Sequence, residues 1–175
     1  MKETLVINLI GGPCSGKSTI AAELFARLKK MGVHCELVSE YIKDRIYEEN
    51  QTMPKNQIAI FGMEHYNISN KLGKVDVIVH DGSFINNIIY MTEENKYFDD
   101  LIISEYKRFW NLDFFIKRGN IEFETYGRIH NLKQSKELDK TIKETYDSYK
   151  LSYIEVESRD AVDKIIPIVL KEINQ

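Results

Sequence analysis

Leu5-Val6-Ile7-Asn8-Leu9-Ile10-Gly11-Gly12-Pro13-Cys14-Ser15-Gly16-Lys17-Ser18 decides how the rest of the chain is read. Residues 5–10 are the short apolar run expected of a strand buried on both faces. Residues 11–18 match G-x-x-x-x-G-K-[ST], in which glycines let the backbone curl until its N–H groups converge on an anion. Ala21, Leu24, Phe25 and Leu28 then recur at helical spacing, which predicts a helix from residue 17 to about 31 with Gly32 placed to end it. Strand before and amphipathic helix after are the context that gives this motif its meaning, because the helix adds its positive end to the anion site.

Working outward, short apolar runs at 34–38, 75–79, 113–116 and 153–156 read as further strands. Helical patterns fall between them. Ser39 is read as the N-cap of a helix to about residue 50, and Pro54 as the first turn of a helix to about 72. Residues 84–90, 98–110, 135–149 and 161–173 complete the helices, and 119–134, polar and weakly periodic, reads as a mobile loop. Five strands alternating with helices predict a parallel sheet covered on both faces. The 175 residues fit one domain.

Hydrophobic residues make up 43% and charged residues 29%, a globular composition that excludes global disorder. The net charge of -3 supplies no overall basic field for nucleic acid. Cys14 and Cys35 are too few for a disulfide framework and predict reduced thiols in a cytoplasmic protein. No apolar run approaches membrane-spanning length, so no membrane partner is expected.

The phosphate loop predicts ATP and Mg²⁺ as cofactors. Gly12, Pro13, Cys14, Ser15, Gly16, Lys17, Ser18 and Thr19 are the expected nucleotide contacts, with Lys17 reaching the β- and γ-phosphates and the Ser18 hydroxyl on Mg²⁺. Asp81 closes the apolar run 75–80, and a carboxylate at such a strand end is the second expected metal contact. Glu40 closes the second strand, where it either orients or deprotonates an acceptor hydroxyl or serves as an acidic residue in a helix's first turn. Arg118, directly after the fourth strand, and Arg128, beyond Gly119, are candidate lid arginines that stabilise charge on the transferring phosphoryl group. Tyr41, Arg45, Gln57 and Phe61 flank the Glu40 side as candidate acceptor contacts, with core packing the competing role for Phe61. By analogy of layout alone, the Ser158-Arg159-Asp160 loop would pack against adenine.

Four segments together carry a family resemblance: residues 11–19, 37–44, 56–62 and 73–81. They resemble a group of small phage-encoded P-loop proteins labelled AAA-type ATPases or nicotinamide-riboside-kinase-like domains. They are also similar to thymidylate kinases and to phage kinases that phosphorylate 5-hydroxymethyluracil in DNA. The resemblance runs from Leu5 to about Leu170 and implies an α/β P-loop NTPase, a nucleoside/nucleotide-kinase-like three-layer fold with a five-stranded parallel sheet and a lid at about 118–135. It implies an ATP- and Mg²⁺-dependent phosphotransferase acting on a nucleoside, a nucleotide or a nucleotide-like hydroxyl. Gly82 and Ser83 follow Asp81 where thymidylate kinases carry an Arg, so the acceptor stays open between a small molecule and modified DNA. A non-catalytic ATP-binding switch is the alternative from another class, and a homodimer is left open.

Overall fold

A computed structural model describes residues 3–42, 48, 52–119 and 131–174. The sheet has five parallel strands in the order β2-β3-β1-β4-β5. These are β1 (Leu5–Ile10), β2 (Cys35–Val38), β3 (Val77–His80), β4 (Trp110–Lys117) and β5 (Ile154–Glu157). The helices are α1 (Lys17–Lys30), α2 (Gln57–Ser69), α3 (Asn86–Ile89), α4 (Lys96–Lys107), α5 (Leu132–Ser148) and α6 (Ala161–Ile173). Tyr41 and Ile42 are also helical.

Strand side chains alternate between faces, and here both faces are apolar. Leu5, Ile7 and Leu9 of β1 join α1 and α6 through Leu24, Leu28, Ile165 and Val169. Val6 and Ile10 join α2, α4 and α5 through Phe61, Ile68, Ile102, Ile142 and Tyr146. The result is the three-layer α/β architecture of P-loop kinases, with every residue of β1 buried.

Capping residues set the helix ends. Gly32 (φ 83) follows α1, and the Val33 N–H returns to the Leu28 carbonyl at 3.0 Å, closing the last turn. The helix expected over 54–72 is in fact split. Met53–Lys55 form a single 3-10 turn, and Asn56 then caps α2 by accepting from the Ala59 N–H. β4 begins at Trp110, three residues before the expected start, and pairs from there with Leu5 of β1. The expected loop 119–134 ends early. Asn131 and Gln134 make a reciprocal capping box, and α5 starts at Leu132. Residues 120–130 of the expected lid lie outside the described residues.

On the outer edge, Lys117 of β4 pairs with Glu155 and Glu157 of β5 at 3.0 and 3.4 Å. Among the described residues, no helix is long and apolar enough to cross a membrane.

Candidate active site

Parallel strands present their carboxyl ends together, and ligands of open α/β sheets bind there. Register places the candidates on that edge. Asn8 pairs with His80, so Asp81 stands beside the end of β1 that feeds the phosphate loop. Val38 pairs with His80 from the other side, which brings Glu40 to the same edge. The last residue of β4, Lys117, precedes Arg118 on the far side of β1.

Gly16 caps α1 in the left-handed region (φ 95), and Cys14 is also left-handed (φ 61). These conformations curl the loop, and the second is costly for a residue with a Cβ. Lys17 Nζ donates to the Gly11 carbonyl at 2.6 Å and to the Gly12 carbonyl at 3.1 Å, so its ammonium lies folded across the loop. The Ser15 hydroxyl is buried with no hydrogen-bond partner among the described residues, while Ser18 and Thr19 are exposed. Cys14 and Cys35 are both buried and not joined in a disulfide.

Asp81 is 4% exposed, and its Oδ1 has no hydrogen-bond partner among the described residues. A buried carboxylate oxygen without a partner is costly, and a cation or its water removes that cost. The donors fit Mg²⁺, which uses one or two protein oxygens and takes the rest from phosphate and water. Among the described residues, no group of three or more His, Cys, Asp or Glu is set to hold a metal.

Beneath Asp81 runs a buried polar network. The His80 Nδ1–H donates to Asn8 Oδ1 at 3.0 Å, a tautomer fixed because Asn8 Nδ2 donates to Asp113 Oδ1 at 2.7 Å. Burial alone lowers His80 to about 4, so the ring is neutral. Asp113 Oδ2 accepts from the hydroxyls of Tyr106 (3.0 Å) and Tyr146 (2.5 Å). Burial raises Asp113 to about 6 against these three stabilising donors. Tyr146 also meets the Ser83 hydroxyl at 2.9 Å, which ties α5 to the turn after Asp81.

Beyond the end of β2, Glu40 and Tyr41 are half-buried. Gln57 is buried and donates to the Pro54 carbonyl at 3.0 Å. Phe61 lies in an aromatic cluster, with ring centroids 5.3 Å from Phe84 and 5.8 Å from both His65 and Phe98. The sequence reading missed Glu64. It is buried one turn after Phe61 on α2 and accepts from Asn87 Nδ2 at 2.8 Å. Burial pushes Glu64 up to about 8, and the negative charge of Glu40 acts in the same direction. Burial likewise raises Tyr90, with Glu40 and Asp139 both adding to the effect, so one tyrosine links the two sides of the site.

Arg118 is held rather than extended. Its guanidinium donates to the Pro13 carbonyl, to Ser135 Oγ at 2.6 Å and to Asp139 Oδ2 at 3.0 Å. Ser135 and Asp139 were not singled out in the sequence, although their i, i+4 spacing puts them on one face of α5. Ser158 Oγ accepts from the Gly119 N–H at 3.1 Å, so the β5–α6 turn borders the same edge. Arg45 and Arg128 lie outside the described residues.

The sequence matches the AAA_28 family, described as an AAA domain, over residues 6–164. The chain belongs to that family. No curated protein matches this AAA_28 chain by sequence. Among solved structures it is similar to deoxyadenosine kinase from M.mycoides with dCMP and a flexible dCDP bound. The TM-score is 0.54 at 16% identity, covering 97% of this chain and 98% of that one. It is also similar to the crystal structure of APE1195, with a TM-score of 0.52 at 14% identity and coverage of 99% and 96%. At such identities the likeness concerns the fold.

Proposed function

We propose that this AAA_28 protein is an ATP- and Mg²⁺-dependent kinase that phosphorylates a hydroxyl of a nucleoside- or nucleotide-type acceptor. The observation that carries this reading is the shared edge of β1, β2 and β3. There Lys17 lies across a curled phosphate loop, Asp81 keeps a buried oxygen without a partner among the described residues, and Glu40 stands on the neighbouring strand.

Each residue has a task that its placement supports. The loop N–H groups and the α1 terminus would bind the phosphates, with Lys17 moving from the loop carbonyls to phosphate oxygens. Ser18 and Asp81 would hold Mg²⁺, which neutralises charge between the β- and γ-phosphates when bound. Glu40 would orient the acceptor hydroxyl and take its proton. The neutral side chains of His80 and Asn8 beneath Asp81 keep that strand end fixed without adding competing charge.

The test is transfer of labelled phosphate from ATP with Mg²⁺ to a panel. It would hold free nucleosides, nucleoside monophosphates, nicotinamide riboside, and DNA with and without 5-hydroxymethyluracil. Label on a small nucleoside or nucleotide supports the reading and names the acceptor. Label on modified DNA alone would make this a DNA-modifying kinase. ATP binding with no acceptor labelled would favour a nucleotide-binding switch.

A further inference from the structure

The two peptides that open the phosphate loop are gripped from outside by side chains that the transfer chemistry does not use. Asp139 Oδ1 accepts from the Gly12 N–H at 2.6 Å. The Pro13 carbonyl accepts from both Arg118 and Ser135 Oγ, which fills its two lone pairs. Asp139 Oδ2 then accepts from Arg118, closing the circuit. The Arg118 side chain is only 10% exposed, so this charge pair is shielded from water.

A trans peptide points its N–H and its C=O in opposite directions. Fixing the Gly12 N–H on Asp139 therefore turns the Gly11 carbonyl the other way, where it receives Lys17 Nζ at 2.6 Å. Fixing the Pro13 carbonyl on Arg118 and Ser135 likewise turns the Cys14 N–H away from them, into the curl of the loop. The outer contacts thus set the direction of an anion-facing donor and of the carbonyl that parks the loop lysine. Gly12 fits the same arrangement. A Cβ there would stand 2.5 Å from the Ser135 carbonyl oxygen and 2.9 Å from Asp139 Oδ1.

We propose that Arg118, Ser135 and Asp139 form a clamp that presets the phosphate loop for nucleotide, making them positioning residues and not groups that touch the transferring phosphoryl. This rests on the nucleotide-binding part of the reading above, but not on the identity of the acceptor. α5 carries the clamp on its first turns and is anchored at its other end by Tyr146 on Asp113, so the clamp has a rigid base.

Titration of a fluorescent N-methylanthraniloyl ATP with Mg²⁺ tests it without any acceptor. Relative to wild type, Arg118→Ala and Asp139→Asn should each weaken binding about tenfold, and Ser135→Ala about threefold. The Arg118→Ala/Asp139→Asn double variant should bind no worse than about the weaker-binding single, because both break one unit. Ile102→Val, which trims a buried core side chain of α4 outside the clamp, should lower the melting temperature and leave the affinity unchanged. Clamp variants that stay within about twofold of wild type would overturn the proposal. So would an Ile102→Val variant that weakens binding as much as they do, since general loosening would then explain both. If the charged variants fail to fold, Ser135→Ala carries the test. Wild type that binds no ATP analogue would overturn the kinase reading and the clamp together, whereas wild-type binding that is insensitive to the clamp overturns the clamp alone.

Discussion

The Tyr146 hydroxyl on α5 donates to the Asp113 carboxylate on β4 at 2.5 Å, and both side chains are buried. This bond joins a helix to the middle of the sheet through a group that burial would otherwise strongly disfavour. Removing the hydroxyl leaves Asp113 with two donors in place of three and takes the partner from Ser83. Tyr146→Phe should cost about 1–3 kcal/mol, read as a lower urea midpoint with an unchanged slope.

Glu64 makes stability depend on pH. Its folded value of about 8 lies above the ordinary carboxylate range, so the folded state holds the proton more tightly than the unfolded chain. The sign follows: this stabilisation is complete below about pH 4 and is lost as pH rises through about 8. Asp113, at about 6, acts in the same direction over the lower part of that window. His80, lowered to about 4, opposes them, since its contribution is lost as pH falls from about 6.5 towards 4. Between pH 6.5 and 8 Glu64 dominates these three. Thermal melts of the wild type should fall across that interval, and those of Glu64→Gln should be flat, with a gain on the order of 1–3 kcal/mol at pH 8.

Two glycines should respond in opposite ways to the same change. Gly12→Ala forces a methyl against the backbone of α5, 2.5 Å from the Ser135 oxygen, and should destabilise by about 1–3 kcal/mol while weakening ATP binding. Gly62, within α2, has nothing within 4 Å of its added Cβ. Gly62→Ala should stabilise by about 0.5–1 kcal/mol through helix propensity. Chemical denaturation of the two variants side by side checks both signs.

Lys17→Ala and Asp81→Asn should separate two roles on one edge. Losing Lys17 removes the phosphate-facing charge, and transfer should fall at least about 100-fold at any Mg²⁺ concentration. Losing the Asp81 charge should lower transfer and raise the Mg²⁺ concentration needed for half-maximal rate by about tenfold or more. Initial rates across a Mg²⁺ series with the acceptor found by the panel give both numbers. Transfer that survives Lys17→Ala would defeat the phosphate-loop argument.

The fold was legible because its signals are local. An apolar run, a glycine turn and a 3.6-residue stripe fall consecutively between Leu5 and Leu28, and each became the expected element. Residues 131–134 also carried a local signal that went unread: Asn131 and Gln134 have capping-box spacing, and heeding it would have started α5 where it starts. The rest of the candidate site was hidden for a different reason. Gly12 meets Asp139, Asn8 meets Asp113 and Glu64 meets Asn87 across long stretches of chain. No periodicity announces such pairs. Asp113 in particular reads only as the first residue of the fourth strand, because only the folded sheet supplies the tyrosines and the asparagine that let a carboxyl be buried there.

The sheet order also governs the time course of folding. β1 is the central strand, yet its neighbours are β3 and β4, so Leu5 pairs with Val77 and with Trp110. Synthesis runs from the amino end, so β1 is made before either neighbour: one edge stays open until Val77 is reached and the other until Trp110. Such distant pairings make the search slow. During that wait Leu5–Ile10 is an apolar segment with nothing to cover it, and it is the stretch where a chaperone or an aggregation partner would first take hold.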